Sequence, residues 1–265
     1  MLKANYHTHT TFCDGRSTPE EMVLRAIELG FEHLGFSGHV DIDPVMDVPA
    51  YLAEIERLQE KYRGRIDILR GGELDNLYPD RSPAGFEYLI GSAHHMRVGA
   101  QVLAVDWSEE QLLCLLNEGF GGDGLKLCRA YFRLIAETYR RGSCAWIGHF
   151  DLVTRHNHSL HFVDEADPAY LASAREVIEY LVGEDLPLEI NTKQAQWGKL
   201  YPGAPMLKTL RELGGEIVIS SDAHHISELD KGFDQAVALA KRCGFDHTNI
   251  LVRGPRGLEF AQVAL

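Results

Sequence analysis

The sequence contains few cysteines, and they are not arranged in pairs. The five cysteines among its 265 residues are Cys13, Cys114, Cys128, Cys144 and Cys243. Their odd number and wide spacing, without a C-x-x-C pair, argue against a disulfide framework and against a zinc site built from thiolates. We therefore expect reduced, buried thiols and a cytoplasmic location.

Positive charge is also scarce. The chain has 26 Lys and Arg residues against 39 Asp and Glu residues, which gives a formal net charge of −13. Surfaces that bind nucleic acids are usually basic, and an anionic membrane surface repels an acidic protein. We therefore expect neither nucleic acid nor a membrane as a partner, and the sequence leaves the oligomeric state open.

Long apolar runs are absent as well. No run approaches the roughly 20 residues that a membrane-spanning helix needs, and the N-terminus lacks the basic segment and apolar core of a signal peptide. The hydrophobic content of 45% and the charged content of 25% are ordinary for a folded protein. Because no shift in composition indicates a linker, we expect one α/β domain over residues 1–265.

Strand-like segments alternate with amphipathic helices along this chain, as in βαβ units. Thr18, Pro19 and Glu21 open the first helix with a capping box. Residues 228–243 and 249–252 have the patterns of a last helix and a final strand. Roughly seven strands in all predict a barrel one unit shorter than the eight-fold barrel, and a doubly wound open sheet is the alternative.

Most of these strands end in a histidine, a carboxylate or an asparagine. The residues concerned are His7 and His9, His39, Glu73, His94, His149, Asn191, Asp222 and His224. Barrel enzymes carry their chemistry at the C-terminal ends of the strands, whereas an open sheet gathers its ligands at one switch point. The distribution over many strands therefore favours a barrel with a metal site at that end.

Two of the strand ends have polar residues two positions apart, His7 with His9 and Asp222 with His224. Such residues point to the same side of an extended chain, so each pair can face one ion. Adjacent residues point to opposite sides of an extended chain. In each pair of adjacent histidines we therefore expect only one metal ligand, and we choose the first: His94 rather than His95, and His224 rather than His225. Imidazole and carboxylate ligands suit Zn, Mn or Fe.

With these residues in this order, the chain resembles the polymerase and histidinol phosphatase (PHP) superfamily, and it is most similar to the histidinol-phosphate phosphatases. The resemblance covers essentially the whole chain. It rests on the motifs His7-Thr8-His9-Thr10 with Phe12-Cys13, Gly71-Gly72-Glu73, Ile90-Gly91-Ser92-Ala93-His94, Gly148-His149-Phe150-Asp151-Leu152, and Ser221-Asp222-Ala223-His224.

The resemblance implies a distorted (β/α)7 TIM-like barrel that binds two or three divalent transition metals, Zn, Mn or Fe. Carried over to this chain, it assigns one metal to His7, His9, Glu73 and Asp222. Glu73 would bridge to a second metal, also held by His94 and His149. The third metal would be held by His39 and His224, with Asp14 from the loop after the first strand.

Asp14 departs from the family pattern, in which a histidine often stands at this position. Aspartate is a competent ligand and a harder one than histidine, which favours manganese or iron over zinc. The sequence alone leaves open whether Asp14 completes the third site and which metal is bound.

Three basic residues are candidates for binding a substrate phosphate. Arg155 is the first, because a guanidinium holds phosphate with two hydrogen bonds and family members often carry a basic residue near this position. Lys193 and Lys199 follow the strand end at Asn191. The remaining histidines are interpreted as a solvated loop (His156, His158 and His161) and as structural residues (His33 and His247).

The resemblance predicts a metal-dependent histidinol-phosphatase of histidine biosynthesis, with a small phosphomonoester as substrate. Glu73, Asp222 and His224 are the predicted catalytic residues, and the sequence does not decide which group protonates the leaving alkoxide. One alternative is a PHP-type phosphoesterase that acts on another small phosphorylated metabolite or nucleotide. The other is a metal-binding protein without catalytic activity.

Overall fold

The strand-like segments of the sequence form a curled, mostly parallel sheet. The computed structural model describes residues 2–42, 46–80, 83–255 and 257–265. The strands in these ranges are β1 (Ala4–Asn5), β2 (His33–Val40), β3 (Asp67–Asp75), β4 (Tyr88–Ser92), β5 (His95–Val98), β6 (Gln101–Ala104), β7 (Trp146–Ile147), β8 (Leu188–Asn191), β9 (Ile217–Ser220), β10 (His247–Gly254) and β11 (Gly257–Ala264).

Helices cover the outer face of this sheet. They are α1 (Pro19–Glu28), α2 (Val48–Lys61), α3 (Glu109–Cys114), α4 (Gly124–Thr138), α5 (Asn157–Leu160), α6 (Pro168–Gly183), α7 (Ala204–Glu212) and α8 (Phe233–Arg242). The predicted capping box is present at α1, where the Thr18 side chain accepts from the Glu21 backbone and the Glu21 side chain accepts from the Thr18 backbone. The described parts of the connection from β3 to β4 contain no helix.

Seven parallel strands in the order β1-β2-β3-β4-β7-β8-β9 form the barrel. Its two ends meet just beyond β1 and β9, where the His9 N–H donates to the Ala223 carbonyl at 2.8 Å and the Ala223 N–H donates to the His7 carbonyl at 3.2 Å. The prediction of a distorted (β/α)7 barrel is therefore confirmed. The distortion is visible in β1 and β7, which are only two residues long.

The last part of the chain differs from the prediction in two ways. A 3₁₀ turn at Ile226–Glu228 and a left-handed residue at Gly232 delay the last helix, which begins at Phe233 instead of residue 228. The final strand is longer than expected and pairs antiparallel with β11, a strand that the sequence analysis missed. This hairpin extends the sheet beyond β9.

The hydrophobic core has two parts. The larger part lies between the sheet and the helices, and the smaller part fills the barrel with residues such as Tyr6, Tyr88, Trp146 and Val218. Leu251 of β10 joins this inner cluster, where the Tyr6 hydroxyl donates to its carbonyl and accepts from its N–H, both at 3.0 Å. The hairpin thus closes one end of the barrel. None of the helices in the described ranges has the length and apolarity that crossing a membrane requires.

Candidate metal centre

Strand register brings the predicted ligands together at one end of the barrel. His39 of β2 lies directly beside Glu73 of β3 in the parallel pairing, so the two side chains leave the same face of the sheet. The hydrogen bonds that close the barrel place His7 and His9 next to the segment of Asp222 and His224. The C-terminal ends of the strands therefore supply the site, as predicted.

Glu73 lies at the centre of the cluster and is 1% exposed. Its Oε1 atom is 2.9 Å from His149 Nε2. The same oxygen is 3.3 Å from His7 Nε2 and 3.3 Å from His94 Nε2. One carboxylate oxygen thus faces imidazoles from three different strand ends.

The second oxygen of Glu73 faces a different set of histidines. Its Oε2 atom is 3.1 Å from His39 Nδ1 and 3.5 Å from His9 Nε2. The same His9 nitrogen is 3.4 Å from Asp222 Oδ1. Because its two oxygens face different ligand groups, Glu73 has the position that a carboxylate bridging two cations requires.

Asp14 collects a further group at the edge of the cluster. Its Oδ2 atom is 2.9 Å from His224 Nε2, and its Oδ1 atom is 3.5 Å from both His9 Nδ1 and His39 Nε2. The loop after β1 therefore brings this aspartate to the residues with which the sequence analysis grouped it.

Buried ligand atoms that lack a hydrogen-bond partner indicate whether metal ions fit the cluster. His7 Nε2, His9 Nε2 and Glu73 Oε2 are buried and have no hydrogen-bond partner among the described residues. Buried polar atoms rarely stay unpaired, and an ion is one of the few explanations when they do. Candidate ligand atoms lie within 4.8 Å of one another in four overlapping groups: His7, Glu73 and His149; His7, His9 and Asp222; His39, Glu73 and His94; and His9, Asp14, His39 and His224. These nitrogen and oxygen donors fit divalent transition metals.

The electrostatics of the cluster keep its carboxylates ionised. Burial would raise the pKa of Glu73, but the facing His7, His94 and His149 hold it well below its ordinary value. Burial likewise opposes ionisation of Asp222, and Lys193 and His7 outweigh it and lower the pKa of that carboxyl. Ionised carboxylates inside a buried pocket are the form that binds cations.

The basic residues proposed for phosphate binding occupy different surroundings. Lys193 reaches the cluster, where its Nζ donates to the Asp222 carbonyl at 2.8 Å and also contacts His224 Nδ1. Arg155 follows the 3₁₀ turn after His149, and its Nη1 is 3.4 Å from Asp106 Oδ2.

Lys199 has a different set of contacts. Its Nζ donates to the Thr154 carbonyl at 2.8 Å, to the Thr154 hydroxyl at 2.7 Å and to Glu165 Oε1 at 3.2 Å. An ammonium group has three donors, so these contacts occupy them all. They favour a role in joining the loops after β7 and β8.

The histidines that were not predicted as metal ligands lie outside the groups that contain Glu73. His95 Nδ1 is 3.1 Å from Asp75, and His225 bonds to Ser227. His158 and His161 are exposed, as expected for a solvated loop, whereas His156 is half-buried just before α5, where its Nε2 bonds to the Asp106 carbonyl at 3.0 Å. His33 lies 3.5 Å from Asp67 and His247 lies 2.9 Å from Glu216, which agrees with structural roles.

Two buried carboxylates that contact predicted ligands were missed in the sequence. Asp75 Oδ2 is 3.4 Å from His94 Nδ1, and Glu189 Oε1 is 2.8 Å from His7 Nδ1. Asp75 stands two positions after Glu73, and Glu189 stands two positions before Asn191. The spacing that identified His7 with His9 could therefore have identified both.

Comparison with known proteins gives one family match. A model of the PHP domain matches residues 5–193 of the chain, which is more than half of its 265 residues. The matched region begins just before His7 and His9 and ends just after Glu189 and Asn191. It therefore includes seven of the nine predicted ligands and leaves Asp222 and His224 beyond its end.

Individual relatives match over nearly the whole length of the chain. A Deinococcus radiodurans protein named "Probable histidinol-phosphatase" is 28% identical over 87% of this chain and 90% of its own length. A Lactococcus lactis protein named "Histidinol-phosphatase" is 26% identical over 92% of this chain and 93% of its own length.

A solved structure has the same fold. It is histidinol phosphate phosphatase from Lactococcus lactis, complexed with Zn, L-histidinol and phosphate. Its TM-score with this chain is 0.71 at 24% sequence identity, and the match covers 94% of this chain and 97% of that one. The similarity shows that the two chains share a fold.

Proposed function

This chain belongs to the PHP domain family, and from that premise we propose that it is a metal-dependent histidinol-phosphatase, which hydrolyses L-histidinol phosphate to L-histidinol and phosphate in histidine biosynthesis. The observation that carries the proposal is the buried Glu73, whose two oxygens face separate groups of histidines. The relatives named for this activity support the choice of substrate.

We assign the cluster to two or three divalent metals. His7, His9, Glu73 and Asp222 hold the first in this assignment, Glu73, His94 and His149 the second, and Asp14, His39 and His224 the third. The group of His7, His9 and Asp222 supports the first site, and the group of His9, Asp14, His39 and His224 supports the third. Glu73 is grouped with His149 and with His94 separately, so the second site rests on the resemblance to the family. Zinc is favoured by the Lactococcus structure, which contains it, whereas the aspartate ligand favours harder metals.

Bound divalent metals supply positive charge and lower the pKa of a nearby water, which phosphate monoester hydrolysis needs. The residues of the chain add binding and orientation. Arg155 lies on the loop after β7 and offers a guanidinium to a free phosphate oxygen. Lys193 supports Asp222 and His224 from the side, and it adds positive charge where the transition state concentrates negative charge.

The leaving alkoxide of the substrate needs a proton. Of the two candidates at the more exposed edge of the cluster, Asp222 and His224, His224 suits this role better, because the cluster keeps Asp222 ionised and an ionised carboxylate has no proton to donate. No Ser or Cys nucleophile is required in this scheme, since water attacks the phosphorus.

Hydrolysis of a panel of phosphomonoesters tests the proposal. The purified protein, supplemented with Mn²⁺ or Zn²⁺, is assayed with p-nitrophenyl phosphate, L-histidinol phosphate, nucleoside monophosphates and sugar phosphates. We expect the highest kcat/KM with L-histidinol phosphate. A clear preference for a nucleotide or another metabolite would contradict the substrate assignment, and no hydrolysis of any member would mean a metal-binding protein without catalytic activity.

A further inference from the structure

Strand β8 supplies none of the assigned metal ligands, yet it carries a buried carboxylate at the base of the cluster. Glu189 is fully buried, with 0% exposure. Its Oε1 atom is 2.8 Å from His7 Nδ1. Its Oε2 atom accepts from the His149 backbone N–H at 3.0 Å and from the Asn191 side-chain amide at 2.9 Å. Its carboxylate therefore contacts one residue from each of two proposed metal sites.

The two ring nitrogens of His7 have different surroundings. Nδ1 faces Glu189, whereas Nε2 faces Glu73 at 3.3 Å and Asp222 at 3.9 Å and has no hydrogen-bond partner among the described residues. An ionised carboxylate can only accept hydrogen bonds. The proton of a neutral His7 ring must therefore be on Nδ1, which leaves the lone pair of Nε2 free for a metal.

We propose that Glu189 is a positioning residue that fixes His7 with its proton on Nδ1 and its Nε2 directed at the first metal. A carboxylate behind a ligating imidazole orients the ring and makes it a stronger donor. The inference rests on the metal site of the proposed function, although it does not depend on which phosphoester is the substrate.

Asn191 extends the same support to a second ligand. Its side-chain amide donates to Glu189 Oε2 at 2.9 Å and to Asp222 Oδ2 at 3.3 Å. Its own oxygen accepts from the Lys193 backbone N–H at 2.9 Å, which fixes the orientation of the amide. Because Glu189 and Asn191 are two positions apart on one strand, they face the same side and support His7 and Asp222 together.

The Glu189→Gln variant separates this role from simple packing. The His149 N–H and the Asn191 amide both donate toward Oε2, so the amide oxygen of a glutamine would take that place. Its NH₂ group would then face His7 Nδ1 and donate to it. The His7 proton would move to Nε2, the atom that the metal needs.

Glu216→Gln is the matched control. Glu216 also accepts from a histidine and an asparagine, His247 Nε2 at 2.9 Å and Asn249 Nδ2 at 2.8 Å. It precedes β9 and so lies at the opposite end of the barrel from the metal cluster. A general effect of losing a carboxylate that pairs with a histidine would appear in both variants.

The experiment measures Zn²⁺ affinity by competition with a chelator, without substrate. We expect one Zn²⁺ to bind about 10- to 100-fold more weakly in Glu189→Gln and with unchanged affinity in Glu216→Gln. Equal affinity in the two variants would overturn the proposal. A wild-type protein that binds no Zn²⁺ or Mn²⁺ would instead contradict the proposed function, and the inference with it.

The wild-type protein provides a second test that does not depend on folding of the variant. In ¹⁵N-histidine-labelled protein loaded with Zn²⁺, we expect NMR to show a slowly exchanging proton on His7 Nδ1 and metal on Nε2. Metal on Nδ1, or a ring without a proton there, would overturn the proposal even if Glu189→Gln failed to fold.

Discussion

Among single residues, Arg155 offers the clearest test of how the site holds phosphate. Its side chain is about one-third exposed, and its ion-pair partner is Asp106, at 3.4 Å. We expect Arg155→Ala to raise KM about tenfold to a hundredfold, because a charge-assisted contact to phosphate contributes roughly 1.5–3 kcal/mol. Metal content should not change. Steady-state kinetics and elemental analysis check the two expectations.

Arg175→Ala is the control for this substitution. Arg175 also pairs with one carboxylate, Glu212 at 3.2 Å, but it does so between the outer helices α6 and α7. We expect wild-type KM for Arg175→Ala. An unchanged KM in Arg155→Ala would instead mean that Arg155 is a surface residue of its loop.

The predicted metal ligands are easier to identify from the sequence than the residues behind them. His39, Glu73 and Asp222 follow apolar strands, so their positions could be read from the alternation of apolar runs and polar ends. Glu189 and Asp75 have the same two-residue spacing as His7 and His9, but that spacing does not say which histidine each carboxylate contacts. Their partners His7 and His94 are distant in the sequence and become neighbours only when the barrel closes.

Among secondary-structure elements, β2, β3 and β4 depend on two glycines beneath one tyrosine. A Cβ atom on Gly35 or Gly71 would overlap the ring or hydroxyl of Tyr88. The Tyr88 hydroxyl donates to the Tyr6 carbonyl at 2.6 Å or to the Phe36 carbonyl at 3.0 Å. Gly71, which precedes Gly72 and Glu73, therefore leaves the space that the Tyr88 ring occupies.

Gly71→Ala tests this packing. We expect it to lower the free energy of unfolding by about 1–3 kcal/mol, as overpacking of a filled core does. Gly183→Ala is the control, because a Cβ atom at the end of α6 would meet nothing within 4 Å. We expect that variant to be as stable as the wild type or more stable by up to about 1 kcal/mol. Equal denaturant midpoints for the two variants would contradict the account of Gly71.

The elements that the sequence analysis missed or misplaced lie after β9. The apolar pattern of residues 228–243 suits a helix throughout, but the left-handed Gly232 precedes the helix that forms. The pairing of β10 with β11 matches residues His247 to Gly254 with Ala264 to Gly257, and its burial depends on Tyr6, near the other end of the chain. Local patterns do not contain that contact.

For the molecule as a whole, the contacts that close the barrel also bring parts of the site together. The hydrogen bonds between the segments of His7 to His9 and Ala223 join the ends of the sheet, and they also bring His9 Nε2 within 3.4 Å of Asp222. The segments after the first and the last strand of the barrel, β1 and β9, therefore contribute to one site. The number of strands, the polar residues that end most of them and the resemblance to the family predicted the barrel, whereas the distances within the cluster required the structure.

Counting metals in the Glu73→Gln variant tests the central claim most directly, because only a carboxylate has two charged oxygens to share between cations. After supplementation with Zn²⁺ or Mn²⁺, we expect about two to three metals per wild-type chain by elemental analysis. Glu73→Gln should lose at least one of them, with a fall in kcat of about 10³ or more, and should keep its fold. Glu216→Gln serves again as the control. Full metal occupancy and near-normal turnover in Glu73→Gln would contradict the bridging site.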